Sequence, residues 1–317
     1  MSQINYPVDI VYTWVDDTQP GYRQMIHNYG STTDDLNPNR TRDNLDLLKY
    51  SLRSLEKFVP WVRNIYIFTS RPQVPIWLKT GSKVIIIHHD EIIDKDNLPT
   101  FNSFCIVSYI ADIKYISDNF LYIEDDMLFG NTVSPNTFIS SENKIILYPR
   151  IEITTPGFKK DNNKMPPWNK AVSFCNFLLD QKYSYKRRRS INRIPLMIEK
   201  STWNMMIDNW REAFTYTRKS KFRSQCNIAP EYLYPYYLYY ENKAVMANIV
   251  ETYKKSFYLG LDNNFLITPA GLKLINLLRP EMYCLNDNFG ADPYSSIVEY
   301  IRTFLENYYP EKSSFEI

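Results

Sequence analysis

A chain of 317 residues with 44% hydrophobic and 23% charged residues has the composition of a folded globular protein and excludes an intrinsically disordered one. Thirty-seven basic residues against 35 acidic ones leave a formal net charge of +2, too weak an overall field to collect nucleic acid, so no nucleic-acid partner is expected. The four cysteines, Cys105, Cys175, Cys226 and Cys284, are scattered without a C-x-x-C pair, which argues for reduced thiols and against a disulfide framework or a zinc site.

The first residues carry no basic or apolar leader, and the longest aliphatic run is Val84–Ile87, so neither a signal peptide nor a membrane span is expected. With the reduced thiols, this points to the cytosol. Val8–Val15 is an apolar, β-branched run that stops at Asp16-Asp17. Beyond a polar loop (Gly30–Asn39), Leu45, Leu48, Leu52, Leu55 and Val59 fall at helical spacing, predicting a helix over Leu45–Phe58 capped by Asp43 or Asn44. Val62–Thr69 and Lys83–His88 read as buried strands and Phe104–Ile116 as a helix, and Phe120–Ile123 is a short strand running into Glu124-Asp125-Asp126. This alternation predicts an α/β fold with a doubly wound, mostly parallel sheet, whose ligands bind outside the carboxyl ends of the strands.

From Lys159 to Glu251 the period becomes helical, over Met165–Leu179, Pro195–Trp210 and Ile228–Glu241. Strand-like stretches at Ser256–Leu259 and Met282–Leu285 return the chain to the sheet, and Tyr294–Tyr309 closes it with a helix.

Five clusters bear on chemistry. Three adjacent carboxylates at the end of a buried strand need cations, because burying an ion costs several kcal/mol, and oxygen ligands of this kind suit Mg2+ or Mn2+ held by one or two carboxylates and a substrate's phosphates. Asp16-Asp17, after the first strand, sits where carboxylates meet a nucleotide and where ordinary turns also occur. Arg40, Arg42 and Arg53, with Arg63 and Arg71, supply guanidinium forks for phosphate or a solvated helix face. The run Lys182, Lys186, Arg187, Arg188, Arg189 and Arg193 is the one strong local positive patch, suited to anionic lipid, a lipid-diphosphate acceptor or a polyanionic product, or else a solvated loop. Tyr232 to Tyr240 is aromatic on every side if helical, and a histidine base would have to be His27, His88 or His89.

At this point the residues resemble a known family, the Stealth proteins. The resemblance lies in Asp9-Ile10-Val11-Tyr12-Thr13-Trp14-Val15-Asp16, in Arg42-Asp43-Asn44, Tyr50-Ser51-Leu52-Arg53-Ser54, Pro60-Trp61-Val62-Arg63, Leu98-Pro99-Thr100-Phe101-Asn102-Ser103 and Asp125-Asp126, in Phe222-Arg223-Ser224, and in Cys284-Leu285-Asn286-Asp287 with the tail Pro310–Glu316. It implies transfer of a sugar-1-phosphate from a UDP-sugar to a hydroxyl of a polysaccharide or lipid-linked oligosaccharide in surface polysaccharide synthesis, with release of UMP. It implies Asp125 and Asp126 as metal ligands and Asp126 and Arg223 in the catalytic group, which Glu124 and Arg193 are expected to join as this chain's own replacements. Asp16, Arg42, Asn44, Arg53, Thr100, Asn102, Ser103, Asn286 and Asp287 are then expected around the donor. The basic run at 182–193 would touch the inner face of the plasma membrane.

The sequence departs from the family pattern at four positions. Val107 stands where a glutamate is usual, Arg193 replaces a histidine, Cys226-Asn227 replaces an aspartate, and Glu124 replaces an asparagine. A glycosyltransferase releasing UDP, and a polysaccharide-binding or assembly protein without turnover, are the alternatives. The expected organisation is an α/β catalytic domain of residues 1–158 and 252–317, with 159–251 a mostly helical insertion.

Overall fold

The structure, a computed structural model, describes residues 6–30, 42, 45–81, 83–157, 165–290 and 292–317. Its first part runs β1 (Val8–Thr13), α1 (Tyr22–Tyr29), α2 (Leu47–Phe58), β2 (Ile65–Thr69), β3 (Val84–His88), α3 (Ser103–Ser108), β4 (Asn119–Glu124) and β5 (Met127–Phe129). The middle holds β6 (Ile145–Leu147), β7 (Pro149–Ile153), α4 (Pro167–Tyr183), β8 (Arg189–Ile191), β9 (Leu196–Glu199), α5 (Lys200–Asn209), α6 (Arg211–Lys219), α7 (Pro230–Tyr240), β10 (Ala244–Met246) and α8 (Ile249–Lys255). β11 (Ser256–Leu261), α9 (Ile267–Leu278), β12 (Met282–Asp287) and α10 (Ser295–Tyr308) complete the chain.

The main sheet has the order β3-β2-β1-β4-β9, parallel throughout except for the antiparallel edge strand β9. β2 is a nearly continuous apolar run and β1 is one apart from Asp9, as suits strands covered on both faces. Here the expected mostly parallel sheet is found. The return of the chain to that sheet is corrected, however: β11 and β12 are strands, but they build a second three-stranded sheet with β5. Two further expectations also shift. Pro195–Trp210 is not all helix, because the β-rich Leu196–Glu199 pairs with β4 before α5 begins. Phe104–Ile116 stops early, as one short helix and a 3-10 turn at Ile110–Asp112.

α2 joins the two sheets. Leu48, Leu52 and Leu55 enter the core of the main sheet, while Leu47 and Tyr50 enter a second core with Leu285 of β12, Leu272 of α9 and Ile301 of α10. Its serines pin β5, the strand just beyond the acidic turn: Ser51 Oγ donates to the Met127 carbonyl at 2.6 Å, and the Phe129 amide donates to Ser54 Oγ at 3.0 Å. Asp46 stands at the N-cap, in left-handed conformation at φ 53°; the expected caps Asp43 and Asn44 lie outside the described residues. The segment 159–251 is helical over α4–α7, and Leu179, Trp203, Phe214 and Tyr234 share the core of the main sheet.

Asp9, fully buried in β1, accepts from both arms of Arg63 (2.8 and 2.6 Å) and from the amides of Asn64 (3.1 Å) and Ser117 (2.8 Å). Asp9→Ala would leave the buried Ser117 amide and the half-buried Asn64 amide without their acceptor, while the exposed Arg63 turns to water, so urea unfolding should show a loss of about 2 kcal/mol. An unchanged midpoint would contradict that role.

Candidate active site

Strand register decides which side chains meet at the carboxyl ends of β1 and β4. Thr13 lies beside Glu124 in the parallel pair, so Trp14 and Val15 emerge next to the acidic turn. In the antiparallel pair, Tyr122 faces Leu196, which carries the preceding Arg193 alongside Glu124. The Leu285 amide donates to the Asp126 carbonyl at 2.8 Å, bringing Asn286 and Asp287 to the same rim. One cleft is lined by Glu124, Asp125, Asp126, Arg42, Ser103, Arg193, Arg223, Asn286 and Asp287, with His89 on its wall.

Arg193 is the centre of this site. One arm meets Glu124 and lies 3.0 Å from Asp126 Oδ2, and the other donates to the Asn286 amide oxygen. Burial pushes the Asp126 carboxyl up to about 6, against the lowering effect of Arg193 and with the raising effect of Glu124, and its Oδ1 is buried without a hydrogen bond among the described residues. Arg42 grips Asp287 through both carboxylate oxygens, at 2.6 and 2.7 Å. Arg223 donates to Ser103 Oγ and lies 4.5 Å over the Phe104 ring.

Asn102 explains how Arg223 arrives there. It caps α3, accepting from the Phe104 amide, while its own amide donates to Asn227 Oδ1 at 2.9 Å and to the Ser220 carbonyl at 3.1 Å. Thr100 Oγ1 accepts from the Asn102 amide at 3.3 Å. Thr100 and Asn102 are therefore placed beneath the cleft as positioning residues. Two expected substrate contacts lie elsewhere. Arg53 forms a two-point ion pair with Glu316 at 2.7 Å and holds the Tyr309 carbonyl, tying down the tail. Asp16 accepts from the amide and hydroxyl of Thr18 in a turn beyond the cleft lining. Asn44 lies outside the described residues.

The departures also find their places. Val107 is buried in the core, Asn227 receives Asn102 and the Ser224 amide, and Arg193 fills the cleft. The basic run does not form one patch: Arg188 is buried on Asp180 at 2.7 Å, Arg193 is in the cleft, and Lys182, Lys186, Arg187 and Arg189 are exposed. Most of the tyrosines of α7 are core. Glu231, in the first turn of α7, lines an adjoining pocket and belongs to no motif, since an acid at a helix start reads as favourable to the helix dipole.

His89 is no base at neutral pH. Burial, reinforced by His88, pushes its imidazole down to about 3, and it packs edge-on to Phe68 at 4.7 Å. A histidine with a depressed folded pKa contributes stability that is present above its ordinary value near 6.5 and lost as pH falls towards about 3. Unfolding free energy should thus drop by about 2 kcal/mol from this residue between pH 7 and pH 5. His89→Phe should flatten that slope in urea titrations; an equal slope in the variant would remove His89 as its source.

The donor set of Glu124, Asp125, Asp126, Asn286 and Asp287 is all oxygen, which suits Mg2+ or Mn2+. Among the described residues no three His, Cys, Asp or Glu side chains converge as a cage. With Asp126 Oδ1 buried and unbonded, the residues fit an ion shared between one or two carboxylates and a substrate's phosphates.

The chain shares the fold of the bifunctional glycosyltransferase WbbM in its apo structure, at a TM-score of 0.50 and 9% identity over 98% of this chain and 51% of that one. More particularly, residues 40–146 match the Stealth protein conserved region 2 and residues 274–317 the conserved region 4, and the chain belongs to the Stealth family. It is 31% identical over 99% of its length to an exopolysaccharide phosphotransferase of Streptomyces coelicolor, and 31% identical over 99% to the exopolysaccharide phosphotransferase CpsY of Mycobacterium tuberculosis. The chain spans 53% and 59% of these two relatives, little more than half their lengths. No helix among the described residues is long and apolar enough to cross a membrane.

Proposed function

We propose that this chain transfers a hexose- or N-acetylhexosamine-1-phosphate from a UDP-sugar to a hydroxyl of a polysaccharide or lipid-linked oligosaccharide, releasing UMP. The observation that carries the reading is the convergence of Arg42, Arg193 and Arg223 with the Glu124–Asp126 turn in one cleft. Phosphoryl transfer asks a protein for positioning and for charges set where the equatorial oxygens become more negative, and guanidinium forks supply both. The names of the curated relatives support the same class of reaction.

In this reading Asp125 and Asp126 hold Mg2+ or Mn2+ together with the diphosphate, and the ion, when bound, neutralises charge on the phosphate oxygens. Arg223, steadied by Ser103, faces the transferred phosphate. Arg193, permanently charged, cannot act as a base and serves as a fixed cation between Glu124, Asp126 and the substrate.

The test is to incubate the protein with Mg2+ or Mn2+, a panel of UDP-sugars and bacterial membrane extract, and to resolve the nucleotides released. UMP that depends on metal and acceptor is the expected product. UDP would instead mean attack at the sugar carbon, and neither nucleotide would argue against turnover.

A further inference from the structure

We propose that the pocket adjoining the cleft takes the acceptor's pyranose ring, and that Glu231 is the base that receives the proton of its attacking hydroxyl; this rests on the transfer reading above. The pocket adjoins the cleft, and Tyr122, Glu124 and Arg193 line both. The rest of its wall is largely apolar and aromatic, with Tyr148, half-buried Trp168 and Tyr232, the kind of surface on which the apolar face of a sugar packs.

Within that wall sits one carboxylate oxygen without an assigned task. Glu231 Oε2 is buried and makes no hydrogen bond among the described residues. A buried acceptor of this kind carries a desolvation penalty unless something pairs with it, and an acceptor hydroxyl would do so.

The other acids at the junction are already used, since Glu124 and Asp126 both face Arg193. The helix position where the family usually has glutamate holds Val107, sealed in the core. The charged and titratable groups around Glu231 are Glu124 and Tyr122 on β4, Arg193 before β9, Arg223 before α7 and Cys175 on α4. Burial, then Glu124, pushes the Glu231 carboxyl up to about 7, where a base works most effectively near neutral pH.

The step balances. The acceptor oxygen bonds to the β-phosphorus as its proton passes to the Glu231 carboxylate, and the bond from that phosphorus to the bridging oxygen breaks, its electron pair leaving with UMP.

Two measurements test this. Saturation-transfer NMR with methyl pyranosides of glucose, galactose, mannose and N-acetylglucosamine should detect binding of at least one of them to the wild type. That signal should fall at least about fivefold in Trp168→Ala and in Ile191→Trp, with UMP binding retained. No signal from any pyranoside, or equal signals in both variants, would overturn the pocket.

In the nucleotide-release assay, Glu231→Gln should lose about 10²-fold or more in kcat with donor KM within about twofold, and the acid limb of the pH profile should move to lower pH. Turnover within about twofold of wild type, or an unchanged acid limb, would overturn the base. A wild type that releases no UMP from any donor would instead sink the transfer reading and the base with it, while pyranoside binding would still decide the pocket.

Discussion

Asp126→Ala is expected to lower UMP release by about 10³-fold while changing the unfolding free energy by less than about 1 kcal/mol. The two halves of this expectation have one cause. Asp126 is a buried carboxylate whose Oδ1 makes no hydrogen bond and whose carboxyl burial pushes up to about 6, so the folded chain gains little from its charge. Removing it leaves Arg193 paired with Glu124 and strands no cation. A group kept at such a position without benefit to folding is one whose charge serves substrate. Paired kcat and urea measurements on the variant would check this, and full turnover would remove Asp126 from the site.

Arg193→Gln should behave in the opposite way, losing both activity and stability. Glu124 and Asp126 would then face each other without the guanidinium, an arrangement costing about 3 kcal/mol, or a fall in melting temperature of about 4–5 °C for a chain of this size. Turnover should fall by about 10²–10³-fold through loss of a fixed cation at the phosphate. Millimolar Mg2+ should return part of the lost stability in the variant, because a divalent ion meets the same need between the two carboxylates. A variant that melts at the wild-type temperature and turns over normally would show that the Arg193 cluster has no part in either. The contrast between the two substitutions separates a residue that costs the fold something from one that relieves that cost.

Much of the scaffold can be read along the chain, because β1, β2 and α2 announce themselves locally: mostly apolar runs for strands covered on both faces, and leucines three and four apart for a helix with a core face. Leu196–Glu199 reads as helix along the chain since four residues carry too little period to distinguish a strand from a helix start; its pairing with β4 makes it a strand. Arg53 shows the same limit for function. An arginine beside a basic helix face is equally suited to phosphate or to a carboxylate, and here Glu316, 263 residues away, meets it.

The sequence by itself determined that this is a mainly parallel α/β protein of the Stealth family with carboxylates at the end of a buried strand, because residue type and local spacing report strand ends and family motifs directly. Only the tertiary structure decided which cation answers those carboxylates. Arg193 lies 69 residues from Glu124, in a basic run that the sequence offered both to a surface and to the catalytic group, and reaches the cleft because β9 pairs antiparallel to β4 with Leu196 opposite Tyr122. Register between distant strands is set by how whole apolar faces fit together, and no short motif carries that information.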